Sequence, residues 1–180
     1  MRQTSKSVSP MSNEGRNTYV INHISDALIE LMGKKPFHDI SISELCDLAG
    51  VGRASFYRNF QTKEAVLEKR LEELWHDWAR DYESKNEQSY FMESLLKCFY
   101  KYKDFNLMLY RHNLSSLIYE VVRWGMKIDQ SESNVESYMK SAIAGTMFGL
   151  VDEWMRRGMQ ETPEQILALA AQAEAQKRNM

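Results

Sequence analysis

Residues 41–60 read SISELCDLAGVGRASFYRNF, and the glycines at 50 and 52 decide what this stretch can become. Glycine enters the left-handed region at little cost and ends helices, so one continuous helix through Gly50–Val51–Gly52 is disfavoured. The flanking segments are each too short to stand alone, and each carries an apolar stripe. Ser41 and Glu44 have capping-box spacing, which predicts a helix over about 42–49 with Ile42, Leu45, Leu48 and Ala49 inward. A second helix is predicted from Gly52 or Arg53 to Phe60, with Phe56 and Phe60, four apart, on its core face. Two short helices joined by a tight turn make a helix-turn-helix. Their crossing needs a small side chain, and Cys46 supplies one.

Arg53, Ser55, Tyr57, Arg58 and Asn59 are then left mostly outward, beside a helix N-terminus that attracts phosphate. Arginine can meet guanine bidentately and asparagine can do the same for adenine. Serine and tyrosine hydroxyls suit phosphate oxygens. The alternative is an ordinary solvated face, and the neighbouring segments weigh against it. Before the motif, Val20, Ile24, Ala27, Leu28 and Leu31 keep helical spacing until Gly33 and Pro36 stop the pattern. After it, residues 61–82 read as a long helix carrying Leu67, Leu71, Leu74, Trp75, Trp78 and Tyr82 on one side.

Helical periodicity continues to the C-terminus. Residues 90–102 are amphipathic, 105–110 form a short apolar segment, and 115–124 form a helix stopped at Gly125. Ser133 and Glu136 cap a long helix that closes at Gly158, and Thr162, Pro163 and Gln165 start a last one reaching about Ala175. Eight or nine helices and no credible strand predict an all-α chain, consistent with only 8 Gly and 3 Pro in 180 residues. Net charge is −2, unevenly spread: residues 1–70 hold 10 Lys+Arg against 8 Asp+Glu, residues 71–180 hold 13 against 17. A mildly basic N-terminal module on an acidic body follows.

Cys46 and Cys98 lack CxxC spacing, which points to a reducing compartment and to neither a disulfide framework nor a zinc site. Residues 1–16 are polar, with no signal peptide, and are expected to be a disordered tail. The apolar run AIAGTMFGLV at 142–151 is shorter than the roughly 20 residues a bilayer span needs. A cytoplasmic protein without membrane contact is expected. Enzymatic classes find little support. No H-E-x-x-H, phosphate loop or nucleophile elbow occurs, and no cofactor or metal is implied. His76 and Asp77, adjacent on a helix, point in different directions.

The stretch ISISELCDLAGVGRASFYRNFQTKEAVL resembles the DNA-binding motif of TetR/AcrR-family regulators, and residues 17–71 fit that pattern throughout. The resemblance rests on the capped SISEL, Cys46, AGV, SFYRNF and KEAVL. It implies a three-helix DNA-binding domain at 17–63 and a helical effector-binding and dimerisation domain at 64–180. It further implies a ligand-responsive regulator of transcription, by expectation a repressor, that binds a palindromic operator in double-stranded DNA as a homodimer. By position, Arg53, Ala54 and Ser55 would lie at the groove, with Arg58 and Asn59 on the same helix. Tyr57, Lys63 and the N-terminus capped by Ser41 would hold phosphates. Two positions depart from the pattern. Gly52 stands where a hydroxyl cap is usual, which takes away a side chain that could meet a phosphate. Asn59 stands where histidine is frequent, so base preference does not carry over. These departures keep a second reading open, a regulator-fold protein that acts through a protein partner with weak or no DNA binding. The C-terminal segment AGTMFGLVDEWMRRGMQETPEQI is similar to the branch that includes a dihydroxyacetone kinase activator.

The body is rich in aromatics and methionine, most of which must be core. A small apolar or aromatic effector is expected between the fourth helix and those after it, with Trp75, Trp78, Tyr82, Phe99, Tyr102, Met108, Trp124 and Met147 as candidate lining. Ala142, Gly145 and Gly149 put small residues on one side of the penultimate helix. They allow close approach of a helix, either within the chain or from a second subunit, and with Trp154 they are the candidate dimer interface.

Overall fold

A computed structural model describes residues 13–84, 91–130 and 133–178. It is all-α, with nine α-helices and no strand among the described residues. The chain divides into two compact units, Met1–Val66 and Leu67–Met180.

In the first unit α1 (Asn13–Met32), α2 (Ile42–Ala49) and α3 (Arg53–Asn59) pack on one another. α1 begins at Asn13, inside the segment expected to be a disordered tail; residues 1–12 of that segment lie outside the described residues. Its end is set by Pro36, in extended conformation ahead of a 3-10 turn at Phe37–Asp39. Ser41 caps α2, its Oγ accepting from the Glu44 N–H at 3.1 Å. The Glu44 carboxylate accepts in turn from the Lys35 ammonium at 2.5 Å, which with the Ser41 N–H holds its pKa below the usual carboxylate range. Gly50 takes the left-handed conformation, φ 65°, and its N–H closes on the Asp47 and Cys46 carbonyls. Ile24, Leu28, Leu45, Cys46 and Phe56 are almost fully buried, so the small Cys46 sits in the core as the crossing requires. Leu48, expected inward, is 44% exposed. Ile42, Leu45, Cys46 and Ala49 centre the buried face, and at about 100° per residue Leu48 falls about 110° from that centre.

α4 (Lys63–Ser84) starts in the first unit, with Thr62 Oγ1 accepting from the Ala65 N–H, and continues in the second. There follow α5 (Phe91–Lys101), α6 (Lys103–Arg111), α7 (Ser116–Gly125), a 3-10 turn at Ile128–Gln130, α8 (Asn134–Arg156) and α9 (Pro163–Arg178). α7 and α6 pack on α8, and α5 packs on α9. The segment expected as merely apolar, 105–110, lies within α6. Asn106, 2% exposed, ties α6 to α5 through Nδ2, which donates to the Phe99 carbonyl at 2.8 Å. At the two later capping-box spacings, Ser133 Oγ accepts from the Glu136 N–H, and Thr162 and Gln165 exchange two hydrogen bonds. The polar breaks at 83–89 and 129–133 fall partly outside the described residues.

Candidate nucleic-acid interface and ligand cleft

α3 is held from behind by Phe56 and Phe60, both buried, with ring centroids 5.9 Å apart. That anchorage leaves Arg53, Ala54, Tyr57 and Arg58 exposed together, Tyr57 being 52% exposed with its ring braced edge-on against Phe56. Ser55 is half-buried, and Ser41 is exposed at the start of α2. Gly52 is the exposed residue ahead of α3 and makes no side-chain cap. The outward group therefore carries two guanidiniums and a phenol on one short helix, a set suited to phosphates and base edges.

Two residues placed by position stand differently. Lys63 Nζ donates to the carbonyls of Phe37 at 2.7 Å and Ile40 at 2.6 Å, and lies 4.5 Å from the centroid of the Phe37 ring. Two of its three donors are spent closing the loop before α2, which leaves one for any phosphate. Asn59 is half-buried, and its Nδ2 donates to the Ser55 carbonyl at 2.8 Å, one turn back. Its amide nitrogen is engaged on its own helix, not turned outward.

In the second unit the candidate lining residues separate. Trp75, Trp78, Phe99 and Tyr102 do meet, around an apolar chamber among α4, α5, α6 and α7 of only about 40 Å³. Ring packing fills the adjoining space: Trp75 and Trp78 are 5.0 Å apart, and Trp78 stacks on Tyr82 at 5.6 Å. Met147 is buried in the core against Trp78 and Leu95. Trp124 is 44% exposed and meets His76 edge-on, and Met108 lines neither the chamber nor the neighbouring groove. The roomier space, about 580 Å³, is that groove between α4 and α5. Trp78, Tyr82 and Tyr102 line it, but so do Asp77, Asp81, Glu93, Lys97 and Lys101. Those charges escaped the sequence reading because i,i+4 charges on a helix look like a solvated face. Cys98 reaches the floor, where burial pushes its thiol up to about 11. Among the described residues no group of three or more His, Cys, Asp or Glu is placed to hold a metal ion.

On α8, Ala142, Gly145 and Gly149 are exposed, and a Cβ added at either glycine would meet open space. Val135, Tyr138, Met139 and Ile143 are also exposed on α8, as is Leu169 on α9. Trp154 does not join them. It is 1% exposed, stacked on Tyr100 with centroids 5.8 Å apart. Five residues beyond Gly149, it lies about 140° around the helix, facing the core.

A braced helix-turn-helix that turns an arginine- and tyrosine-bearing helix outward is the arrangement that helical DNA-binding regulators present to the major groove. Residues 24–69 match the family model described as bacterial regulatory proteins, tetR family. Two solved structures are similar in fold. Lin0861 from Listeria innocua aligns over 93% of this chain and 95% of its own, at 17% identity and a TM-score of 0.71. The dihydroxyacetone kinase operon activator DhaS aligns over 87% and 97%, at 22% identity and a TM-score of 0.58. No curated protein matches the chain. Among the described residues no helix is long and apolar enough to cross a membrane.

Proposed function

We propose that this protein is a cytoplasmic, ligand-responsive transcriptional repressor that binds a near-palindromic operator as a homodimer. The observation that carries the reading is the exposed face of α3, with Arg53, Ala54, Tyr57 and Arg58 displayed on a helix whose other face is locked by Phe56 and Phe60. One copy would enter each of two successive major grooves. Arg53 is the base-reading candidate, and Tyr57 and Arg58 the phosphate contacts. Dimerisation is supported by the exposed apolar stripe of α8, from Val135 through Met139 and Ile143, with Leu169 of α9. A patch of this kind, continuous with the small residues at 142, 145 and 149, is what an isologous helical interface uses. α4 belongs to both units, so a ligand in the second has a covalent path to the first. Such a ligand acts by favouring one spacing of the two DNA-binding heads.

One observation favours the co-regulator reading instead. With Gly52 lacking a side chain and Lys63 engaged on carbonyls, two of the expected phosphate contacts are weakened. Fluorescence anisotropy with random DNA and with DNA selected from a random pool separates the two. Regulation by DNA binding requires a selected sequence that outcompetes random DNA and an affinity that falls steeply with salt. Equal, weak binding to both would leave the partner-protein reading.

A further inference from the structure

The groove between α4 and α5 differs from the apolar site that the aromatic content of this unit suggests. Its volume, about 580 Å³, lies within the range of small-molecule sites, roughly 300–1,000 Å³. The chamber beside it, about 40 Å³, falls far below that range. The α4 wall presents Asp77 and Asp81, one turn apart. The α5 wall presents Lys97 and Lys101, one turn apart, with Glu93 at its start. The two walls are bridged at the base, where Trp78 Nε1 donates to Ser94 Oγ at 2.9 Å. The Lys101 ammonium sits 5.0 Å from the centroid of the Tyr102 ring. Its pKa is raised chiefly by the hydrogen bond with Tyr102, with Asp77 the smallest of the contributions.

Consider what such walls accept. A neutral apolar molecule would gain the Trp78 and Tyr82 rings but partly desolvate five charged groups without pairing them. A simple anion would face three carboxylates, and a simple cation two ammoniums. We propose that the groove binds a small zwitterion of the amino-acid or short-peptide class, its ammonium on Asp77 and Asp81, its carboxylate on Lys97 and Lys101, and its side chain against Trp78 and Tyr82. The pairs already present among the described residues include Asp77 with Arg80, and Lys97 with both Glu93 and Glu164. They lie near the surface, where such pairs are weak and readily exchanged for a charged ligand group. The rings of Trp78 and Tyr82, stacked at 5.6 Å, give the ligand's apolar part a rigid wall. The inference rests on the regulatory reading only for its consequence, since it names the effector class of the proposed repressor.

The test uses the full chain and a panel of free amino acids and dipeptides, each compared with its N-acetylated and C-amidated forms, plus polyols and apolar aromatics. Calorimetry and tryptophan emission report binding, and anisotropy on selected DNA reports the consequence separately. At least one zwitterion should bind saturably and perturb emission, and blocking either pole should weaken it about tenfold or more, the value of one charge-assisted contact. Asp81→Asn should weaken the parent ligand similarly, yet leave its N-acetylated form unaffected. Lys101→Met should do the same for the C-amide. Both substitutions lie on exposed groove walls, and a circular dichroism spectrum checks that each variant folds. The proposal is overturned if no zwitterion binds, if polyols or apolar aromatics bind as well, or if neither variant changes affinity. A protein that binds selected DNA but no zwitterion loses this inference and keeps the regulatory reading. One that binds a zwitterion but no DNA keeps the site and loses that reading.

Discussion

The Trp75 indole occupies the space that a side chain at Gly125 would need. A Cβ built there falls 2.1 Å from Cε2 and 2.4 Å from Nε1 of the ring. Gly125 is the last residue of α7 and has no positive φ, so glycine is required there for room and not for backbone conformation. Gly125→Ala should therefore gain slightly in helix propensity and lose more by displacing the indole from α4. The expected net loss is about 1–3 kcal/mol, the usual range for overpacking a filled core. Urea unfolding followed by tryptophan emission measures it. Unchanged stability would show that Trp75 has a second rotamer at no cost.

Arg53 and Tyr57 should behave differently on DNA. Arg53→Ala is expected to cost about 1–3 kcal/mol and to relax sequence preference, and Tyr57→Phe to weaken all sequences alike. Competition binding on a selected site and its point variants distinguishes the two patterns. An Arg53→Ala protein with unaltered affinity and preference would remove α3 from the groove.

Lys63 should report on stability rather than on salt. With its ammonium on the Phe37 and Ile40 carbonyls, Lys63→Met leaves the Ile40 carbonyl without its donor, while the Phe37 carbonyl keeps the Ile40 N–H. A loss of about 1–3 kcal/mol in folding is expected, the cost of orphaning such a group. The slope of log affinity against log salt should stay that of the wild type. A fall of about one in that slope would return Lys63 to the phosphate contacts.

The exposed stripe of α8 predicts a dimer of twice 21.1 kDa by sedimentation. Gly145→Leu, at a position with open space in the protomer, should leave folding intact and shift the species toward monomer. A wild-type monomer at micromolar concentration would exclude the interface, and a Gly145→Leu dimer of unchanged affinity would move it elsewhere.

The Cys98 thiol, raised to about 11 by burial, gives a pH signature. An unfolded cysteine titrates near 8.5, by the model-peptide value of about 8.5. The folded state thus holds its proton more tightly. Its contribution is whole below the unfolded pKa and is lost as pH rises through the folded one. Between pH 9 and about 11 the wild type should lose stability faster than Cys98→Ala, which lacks the group. Alkylation at pH 8 should be slow. Parallel pH profiles for the two proteins, or rapid modification, would place the thiol in a more open setting.

Local sequence determined most of the first unit and every helix start that depends on a cap. Ser41, Ser133 and Thr162 act within three residues of themselves, and Gly50 acts on its own φ, so their effects are set before any tertiary contact forms. Phe56 and Phe60 were legible as core for the same reason, since i,i+4 spacing places them on one face. What needed the folded chain was the assignment of each face to a partner. Cys46 was legible at the crossing of α2, whereas Leu48, at the edge of the apolar stripe, was assigned inward and lies exposed. α8 carries two apolar faces, and only packing against α6 and α7 showed that Trp154 belongs to the core while Ala142, Gly145 and Gly149 do not. Lys63 meets carbonyls more than twenty positions earlier, a contact no local pattern encodes. The groove is the clearest case. Asp77 and Lys101 lie on different helices, each reading as a solvated face. Opposing walls of opposite charge arise only when α4 and α5 are laid side by side, because a cavity is a property of the space between elements and not of any one of them.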